Sequence, residues 1–402
     1  MADYLIRNAR VITQERLLPL GGAAVSGGRI TELFEGPGRP PRPGEVCIDA
    51  GGRYLSPGFI DLHVHGGGGG EFMARSPDEV LAACRTHLRH GTTSMAPTTS
   101  SADPEAFRQA MAHMTRAFSA MEDGPNILGL HLEGPYFAYE QRGAQDPRYV
   151  RDPDPAEYLP ILDACPNLLR WSIAPERPGV MEMARCLRQR GVRMSMGHSD
   201  ALYDEAVQAY EWGFDTVTHL YSCTSSVRRI NAYRYAGIVE AAYQLDGMYV
   251  EVIADGKHLP ASLLRLIYKL KGPDRICLVT DAIGAAGLSG GGTYDSRTCG
   301  TTVVVEDGVA KLPDRSAFAG SVATADRLVR TMVELAGVPL TDAVKMMSAT
   351  PARNAGVFDH KGSLAVGKDA DLLLFDDAIH VSLVMVLGEV RWQTSHPAPS
   401  DP

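Results

Sequence analysis

Asp61-Leu62-His63-Val64-His65 ends an apolar run with two imidazoles one residue apart. In a strand, alternate side chains share a face, so both rings point the same way. Two convergent imidazoles followed by a glycine turn form half of a metal site. Further donors follow downstream: Glu133 in His131-Leu132-Glu133-Gly134-Pro135, His198 in Gly197-His198-Ser199, His219 in Thr218-His219-Leu220 and Asp281 in Thr280-Asp281-Ala282. Each alone has an ordinary structural use: a strand-end histidine is commonly just hydrogen-bonded, Glu133 could cap a helix, and Asp281 could fix a loop. Six together on one rim are hard to explain that way. Imidazole and carboxylate without thiolate suits zinc, and also ferrous iron, manganese or cobalt. A divalent metal lowers the pKa of bound water and polarises a carbonyl. A neighbouring carboxylate can then move the water's proton to a leaving amine, the role assigned to Asp281.

The surrounding pattern must hold these donors at one rim. Eight strand-like stretches are predicted: 59–63, 92–97, 127–133, 168–174, 193–198, 216–220, 249–254 and 276–281. Most are continuously apolar, as parallel strands buried on both faces are. Helical stretches separate many of them. Ser76-Pro77-Asp78-Glu79 reads as a capping box with proline at the first helical position, opening a helix that stops at Gly91. Other helices are expected at 104–121, 178–190, 202–212, 260–270, 322–336 and 341–348, with a β-rich insertion at 284–318. The alternation indicates an α/β fold, a (β/α)8 TIM barrel, whose chemistry sits at the C-terminal strand ends. Short strands with Gly and Pro turns at both chain ends, 1–56 and 363–402, are expected to pair into one small β-sandwich domain beside a barrel domain of residues 57–362.

Composition limits the alternatives. The chain has 402 residues, 45% hydrophobic and 22% charged, with net charge -9. That suits a globular protein with a sizeable core and argues against nucleic-acid binding. No apolar run is long enough to span a bilayer, so no membrane association is expected. The N-terminus shows no signal peptide. Seven scattered cysteines, without Cys-x-x-Cys, fit a reducing compartment, and a cytoplasmic location is expected. Gly66 to Gly70 lacks the Lys-Ser/Thr of a P-loop, so it is read as a flexible connection.

The donor blocks, together with Pro57 to His65, Thr218-His219-Leu220-Tyr221 and Asp255-Gly256-Lys257-His258, resemble N-acetylglucosamine-6-phosphate deacetylases of the amidohydrolase superfamily. The resemblance runs over nearly the whole chain. It implies metal-dependent removal of the acetyl group from N-acetylglucosamine 6-phosphate, giving glucosamine 6-phosphate and acetate, in a homodimer. It implies that Glu133, His198 and His219 hold the main metal, and that His63 and His65 hold a second, with Glu133 bridging. Asp281 matches the proton-transfer aspartate, His258 a substrate-binding histidine, and Phe318-Ala319-Gly320 a sugar-contacting loop. Three departures bear on the substrate. Gly143-Ala144-Gln145 stands where relatives usually carry Gly-Ala-His; Gln145 donates a hydrogen bond but carries no charge. Ser222-Cys223 replaces Asn-Ala at the position expected to meet phosphate. The phosphate-binding arginine is expected among Arg228, Arg229 and Arg234. These changes leave open another N-acyl amino sugar or a cyclic amide.

Overall fold

The computed structural model describes residues 2–394, so the two ends of the expected small domain, residue 1 and residues 395–402, lie outside the described residues. Among the described residues, eight parallel strands follow one another through α/β alternation: Phe59–Val64, Thr92–Pro97, Leu130–Glu133, Leu168–Ile173, Arg193–Met196, Phe214–Val217, Tyr249–Val252 and Ile276–Leu278. From Leu130–Glu133 onward they are hydrogen-bonded in sequence order, and Phe59–Val64 pairs with Thr92–Pro97. A parallel bridge between Thr98 and His131 joins the two groups. At the other edge Asp281 N donates to His63 O at 2.9 Å. The sheet is therefore curled, with its last strand's exit beside its first strand.

Buried Asp61 reinforces that junction. Its carboxylate accepts from Thr280 Oγ1 at 2.5 Å and Thr280 N at 3.2 Å. Thr280 is thereby fixed next to Asp281. Helices cover the outer face. Pro77–Arg89 starts at Ser76, whose hydroxyl accepts from Glu79 N, while Glu79 reaches back to Arg75 N rather than to the cap's own amide. Pro104–Ala120 starts at Asp103, which accepts from the next two free amides. The predicted helices at 178–190, 202–212, 260–270, 322–336 and 341–348 are found as Val180–Gln189, Tyr203–Trp212, Ala261–Lys271, Ala325–Glu334 and Leu340–Met347.

Three helices were not expected: Pro155–Ala164, Ile238–Gln244 and Ala349–Ala355. The first was obscured by Pro160 in its interior, although Asp154-Pro155 is an N-cap followed by an N1 proline. The other two are short helices of 7 residues each, held by packing rather than propensity.

Both chain ends contribute to one hydrogen-bonded sheet. Its order runs from the C-terminal strands Glu389–Gln393, Val381–Val386 and Leu372–Phe375 into Tyr54–Pro57, Tyr4–Ile12, Leu17–Ser26 and Arg29–Glu35, with Val46–Asp49 beside Tyr4–Ile12. The seam is the antiparallel pairing of Tyr54–Pro57 with Leu372–Phe375. Ile6, Val11, Leu55, Leu372 and Met385 bury one apolar face there. Residues 292–311 add a three-stranded antiparallel flap, Gly292–Ser296, Thr301–Glu306 and Val309–Lys311. Buried Glu71 ties it down by accepting from Arg297 N and Thr298 N, each at 2.8 Å, and from Ser296 Oγ at 2.9 Å.

Candidate metal centre and catalytic cleft

Strand ends present the converging side chains. His63 lies in Phe59–Val64, His65 just beyond it, and Glu133 ends Leu130–Glu133. His198, His219 and Asp281 follow the strands Arg193–Met196, Phe214–Val217 and Ile276–Leu278 by a few residues. All three take left-handed backbone, with φ of 49°, 29° and 46°. A non-glycine residue adopts that conformation at a cost of about 1 kcal/mol or more, and such strain gathers where position matters.

The donors meet tightly. His63 Nε2 and His65 Nε2 are 3.2 Å apart, and His198 Nε2 and His219 Nε2 are 3.1 Å apart. Glu133 spans the pairs: Oε1 lies 3.3 Å from His63 Nε2, 3.3 Å from His198 Nε2 and 3.1 Å from His219 Nε2. Oε2 lies 3.3 Å from His65 Nε2. Asp281 Oδ1 sits 3.2 Å from His65 Nε2 and 3.4 Å from His63 Nε2. Two triads, His63-His65-Glu133 and Glu133-His198-His219, could each hold a metal ion.

Two tautomers are fixed from behind. His63 Nδ1 is 3.0 Å from Glu251 Oε2, and His198 Nδ1 is 2.8 Å from the Gln141 carbonyl oxygen. Each such ring donates from Nδ1 and so turns the Nε2 lone pair toward the cluster. Burial pushes the Glu133 carboxyl upward, yet the charges of His63 and His198 outweigh this and hold it well below the carboxylate range. Burial likewise disfavours charge on His65, but Asp281 and Glu133 raise its pKa to about 9. Two buried acids facing four imidazoles need compensating positive charge, which ring protons supply in the absence of an ion and which a divalent ion held by the neutral rings would supply in their place. The donor set and its buried geometry fit such an ion.

The cluster floors a cavity of about 310 Å³. Ala144, Gln145, Ser222, Cys223, His258, Phe318 and Gly320 all reach its wall, as do Glu133, His65, His198, His219 and Asp281. His258 Nδ1 is held by Asp255 Oδ2 at 2.8 Å, and its ring packs on Phe318 with centroids 4.6 Å apart. Gly320, at φ 64°, lets the segment after the flap pass close to Asp281: a Cβ there would meet the Asp281 carbonyl oxygen at 2.9 Å. Ala319 does not face the cavity; it packs behind it with Ile283 and Val303. Arg228 is drawn away by an ion pair with Asp200, and Arg229 is exposed. Both sit with Arg234 on the hairpin Arg228–Ile230 and Tyr233–Tyr235, off the cavity wall of this chain.

The sequence matches the Amidohydrolase family over residues 54–391. It is 33% identical to N-acetylglucosamine-6-phosphate deacetylase of Homo sapiens over 92% of this chain and 91% of that protein. The chain belongs to the N-acetylglucosamine-6-phosphate deacetylase family of amidohydrolases. It is also 32% identical to N-acetylgalactosamine-6-phosphate deacetylase of Escherichia coli O157:H7, covering 96% of this chain and 99% of that one. Among solved structures, N-acetylglucosamine-6-phosphate deacetylase from Pasteurella multocida superimposes with a TM-score of 0.88 at 32% identity, covering 96% and 99% of the two chains. An Asp-to-Ala variant of the Mycobacterium smegmatis deacetylase, in complex with N-acetyl-D-glucosamine-6-phosphate, superimposes with a TM-score of 0.87 at 33% identity, covering 97% and 100%.

In this deacetylase-family chain several cleft residues escaped sequence reasoning. Thr298 and Cys299 come to the wall from the flap, and Tyr221 from the loop after His219. Gln145 is more than a wall residue: its Nε2 donates to Glu133 Oε2 at 2.7 Å, while Oε1 accepts from Ser101 N at 2.9 Å. Glu251 did leave a signal. It is the lone charge in the buried strand Tyr249–Val252, where alternation turns it to the face opposite its apolar neighbours.

Proposed function

We propose that this chain is a divalent-metal-dependent deacetylase that converts N-acetylglucosamine 6-phosphate to glucosamine 6-phosphate and acetate. The observation that carries the reading is the convergence of four Nε2 atoms on the two oxygens of Glu133, with Asp281 at the edge of the same cavity. Glu133, His198 and His219 hold the main ion, and His63, His65 and Glu133 hold a second. Zinc is the first choice for this donor set, with ferrous iron, manganese or cobalt able to replace it. The bound ion supplies an acidified water and polarisation of the acetyl carbonyl.

Asp281 Oδ1 takes the proton of the attacking water and delivers it to the sugar nitrogen as the C–N bond breaks. Acetate leaves with the new C–O bond and the sugar leaves as its amine. Gln145 orients Glu133 through one amide hydrogen and offers the other to the acetyl oxygen. His258, oriented by Asp255, turns its Nε2 to the sugar, with Phe318 and Gly320 closing the wall around it. Ser222 and Cys223 meet the 6-phosphate end.

We take the curled parallel sheet as a (β/α)8 barrel of residues 57–362, and the chain-end sheet as a small sandwich-like domain. All seven cysteines are unpaired, which supports a cytoplasmic location. Among the described residues no helix is long and apolar enough to cross a membrane. We further read the protein as a homodimer, with Arg229 and Arg234 exposed and Arg228 half-buried on the hairpin. The likeness to an N-acetylgalactosamine-6-phosphate deacetylase makes the C4 epimer the second substrate to test.

The test is elemental analysis of purified protein combined with acetate release from both N-acetylhexosamine 6-phosphates and their unphosphorylated forms. Bound divalent metal and preference for a phosphorylated N-acetylglucosamine support the reading. Full activity after removal of divalent ions refutes it.

A further inference from the structure

Glu251 carries no exposed surface, and its two carboxylate oxygens meet only donors. Oε2 lies 3.0 Å from His63 Nδ1 and 3.4 Å from His219 N. Oε1 is bonded to the guanidinium of Arg170, itself 1% exposed. Arg170 also bonds Asn354 Oδ1, and Asn354 Nδ2 donates to Thr216 Oγ1 at 2.8 Å. A chain of buried polar groups thus runs beneath the histidine cluster and ends on one ring of it. The other rings are held differently. His198 uses a backbone carbonyl, and Nδ1 of His65 and of His219 has no hydrogen-bond partner among the described residues.

We propose that the Glu251–Arg170 pair is a positioning device for His63 that sets occupancy of the His63-His65-Glu133 site separately from the Glu133-His198-His219 site. The inference rests on the two-metal reading above. Arg170 compensates the Glu251 charge inside the sheet, where an unpaired carboxylate is strongly disfavoured. Charged Glu251 then keeps the His63 proton on Nδ1 and the lone pair on Nε2, the atom facing His65 and Glu133.

A glutamine at this position cannot serve both neighbours. Its amide has one accepting and one donating end. With the donating end toward Arg170, two donors collide. With the donating end toward His63, Nδ1 must accept, and the ring proton moves to Nε2, which then cannot bind a cation.

The experiment compares wild type with Glu251→Gln. Zinc retained after dialysis is counted per chain, and each site's Kd is read by competition with a chelator of known affinity. Wild type should retain two equivalents. Glu251→Gln should bind the second about 10-fold to 100-fold more weakly and keep the first. The retained first equivalent, with a single cooperative thermal melt of the zinc-loaded protein, shows that the variant is folded. If Glu251→Gln does not accumulate as folded protein, Arg170→Lys replaces it. That variant keeps the charge but loses the planar fork, and should weaken the second equivalent alone by a smaller factor. Equal second-site affinity in wild type and variant overturns the proposal, and so does loss of both equivalents together. A wild type that retains one equivalent refutes the two-metal reading itself.

Discussion

His87 gives the clearest test of how burial near the cleft is energised. It lies in the helix Pro77–Arg89 with no exposed surface, and its Nε2 is 2.8 Å from the carbonyl oxygen of Gly66, the residue after His65. Nε2 therefore carries the proton, and Nδ1 is buried with no partner among the described residues. Burial lowers the imidazole pKa from 6.5 to about 4. Between those values the unfolded chain holds a proton on His87 that the folded chain does not. Stability contributed here is thus fully present above pH 6.5 and is lost as pH falls toward 4, where it levels off. The gap, at about 1.4 kcal/mol per pH unit, amounts to about 3 kcal/mol. Urea unfolding of wild type and His87→Gln from pH 7.5 to 4 checks this. The variant has no proton to take up, so its stability should gain on wild type by about 3 kcal/mol across that window, while acid effects shared by the two proteins cancel. Parallel curves would refute the reasoning.

Asp281→Asn should keep near-normal metal content and lose about 100-fold to 10,000-fold in kcat, since the amide cannot take up a proton; near-wild-type turnover would end the role given to Asp281. Gln145→Ala frees Glu133 Oε2 and leaves Ser101 N without its acceptor. It should lower kcat about tenfold or more through a displaced ligand, and unchanged kinetics would reduce Gln145 to filler. Stripping divalent ions should abolish acetate release and lower the melting temperature, and zinc at about 100 times its Kd should restore about 3 kcal/mol. Identical melts with and without metal would show that the cluster holds no ion.

Much of this was legible because the donors obey simple rules. His63 and His65 share a face by strand alternation, and each remaining donor ends or follows an apolar run that forms a strand. The eight parallel strands were readable from the same runs, with ends shifted by a few residues. What was not legible depends on the third dimension. Nothing in the sequence ties Gln145 to Glu133 across 12 positions. Thr298 and Cys299 reach the cleft only because Glu71, far away in the chain, binds the flap's amides. The resemblance places one phosphate-binding arginine among Arg228, Arg229 and Arg234; Asp200 pairs with the first, and the other two are exposed on the hairpin. Two adjacent arginines on a hairpin point to opposite faces, so only one could ever face a given ligand.

The antiparallel seam between Tyr54–Pro57 and Leu372–Phe375 has a consequence for biosynthesis. Its two strands lie roughly 320 residues apart, and at about 5–20 residues per second the ribosome needs roughly 16 to 64 s to deliver the second after the first. Throughout that interval the nascent chain displays an unzipped edge on Tyr54–Pro57, open to adhesion by other chains. Translation slowed after residue 57 should therefore increase aggregation and chaperone demand, whereas slowing after residue 375 should not.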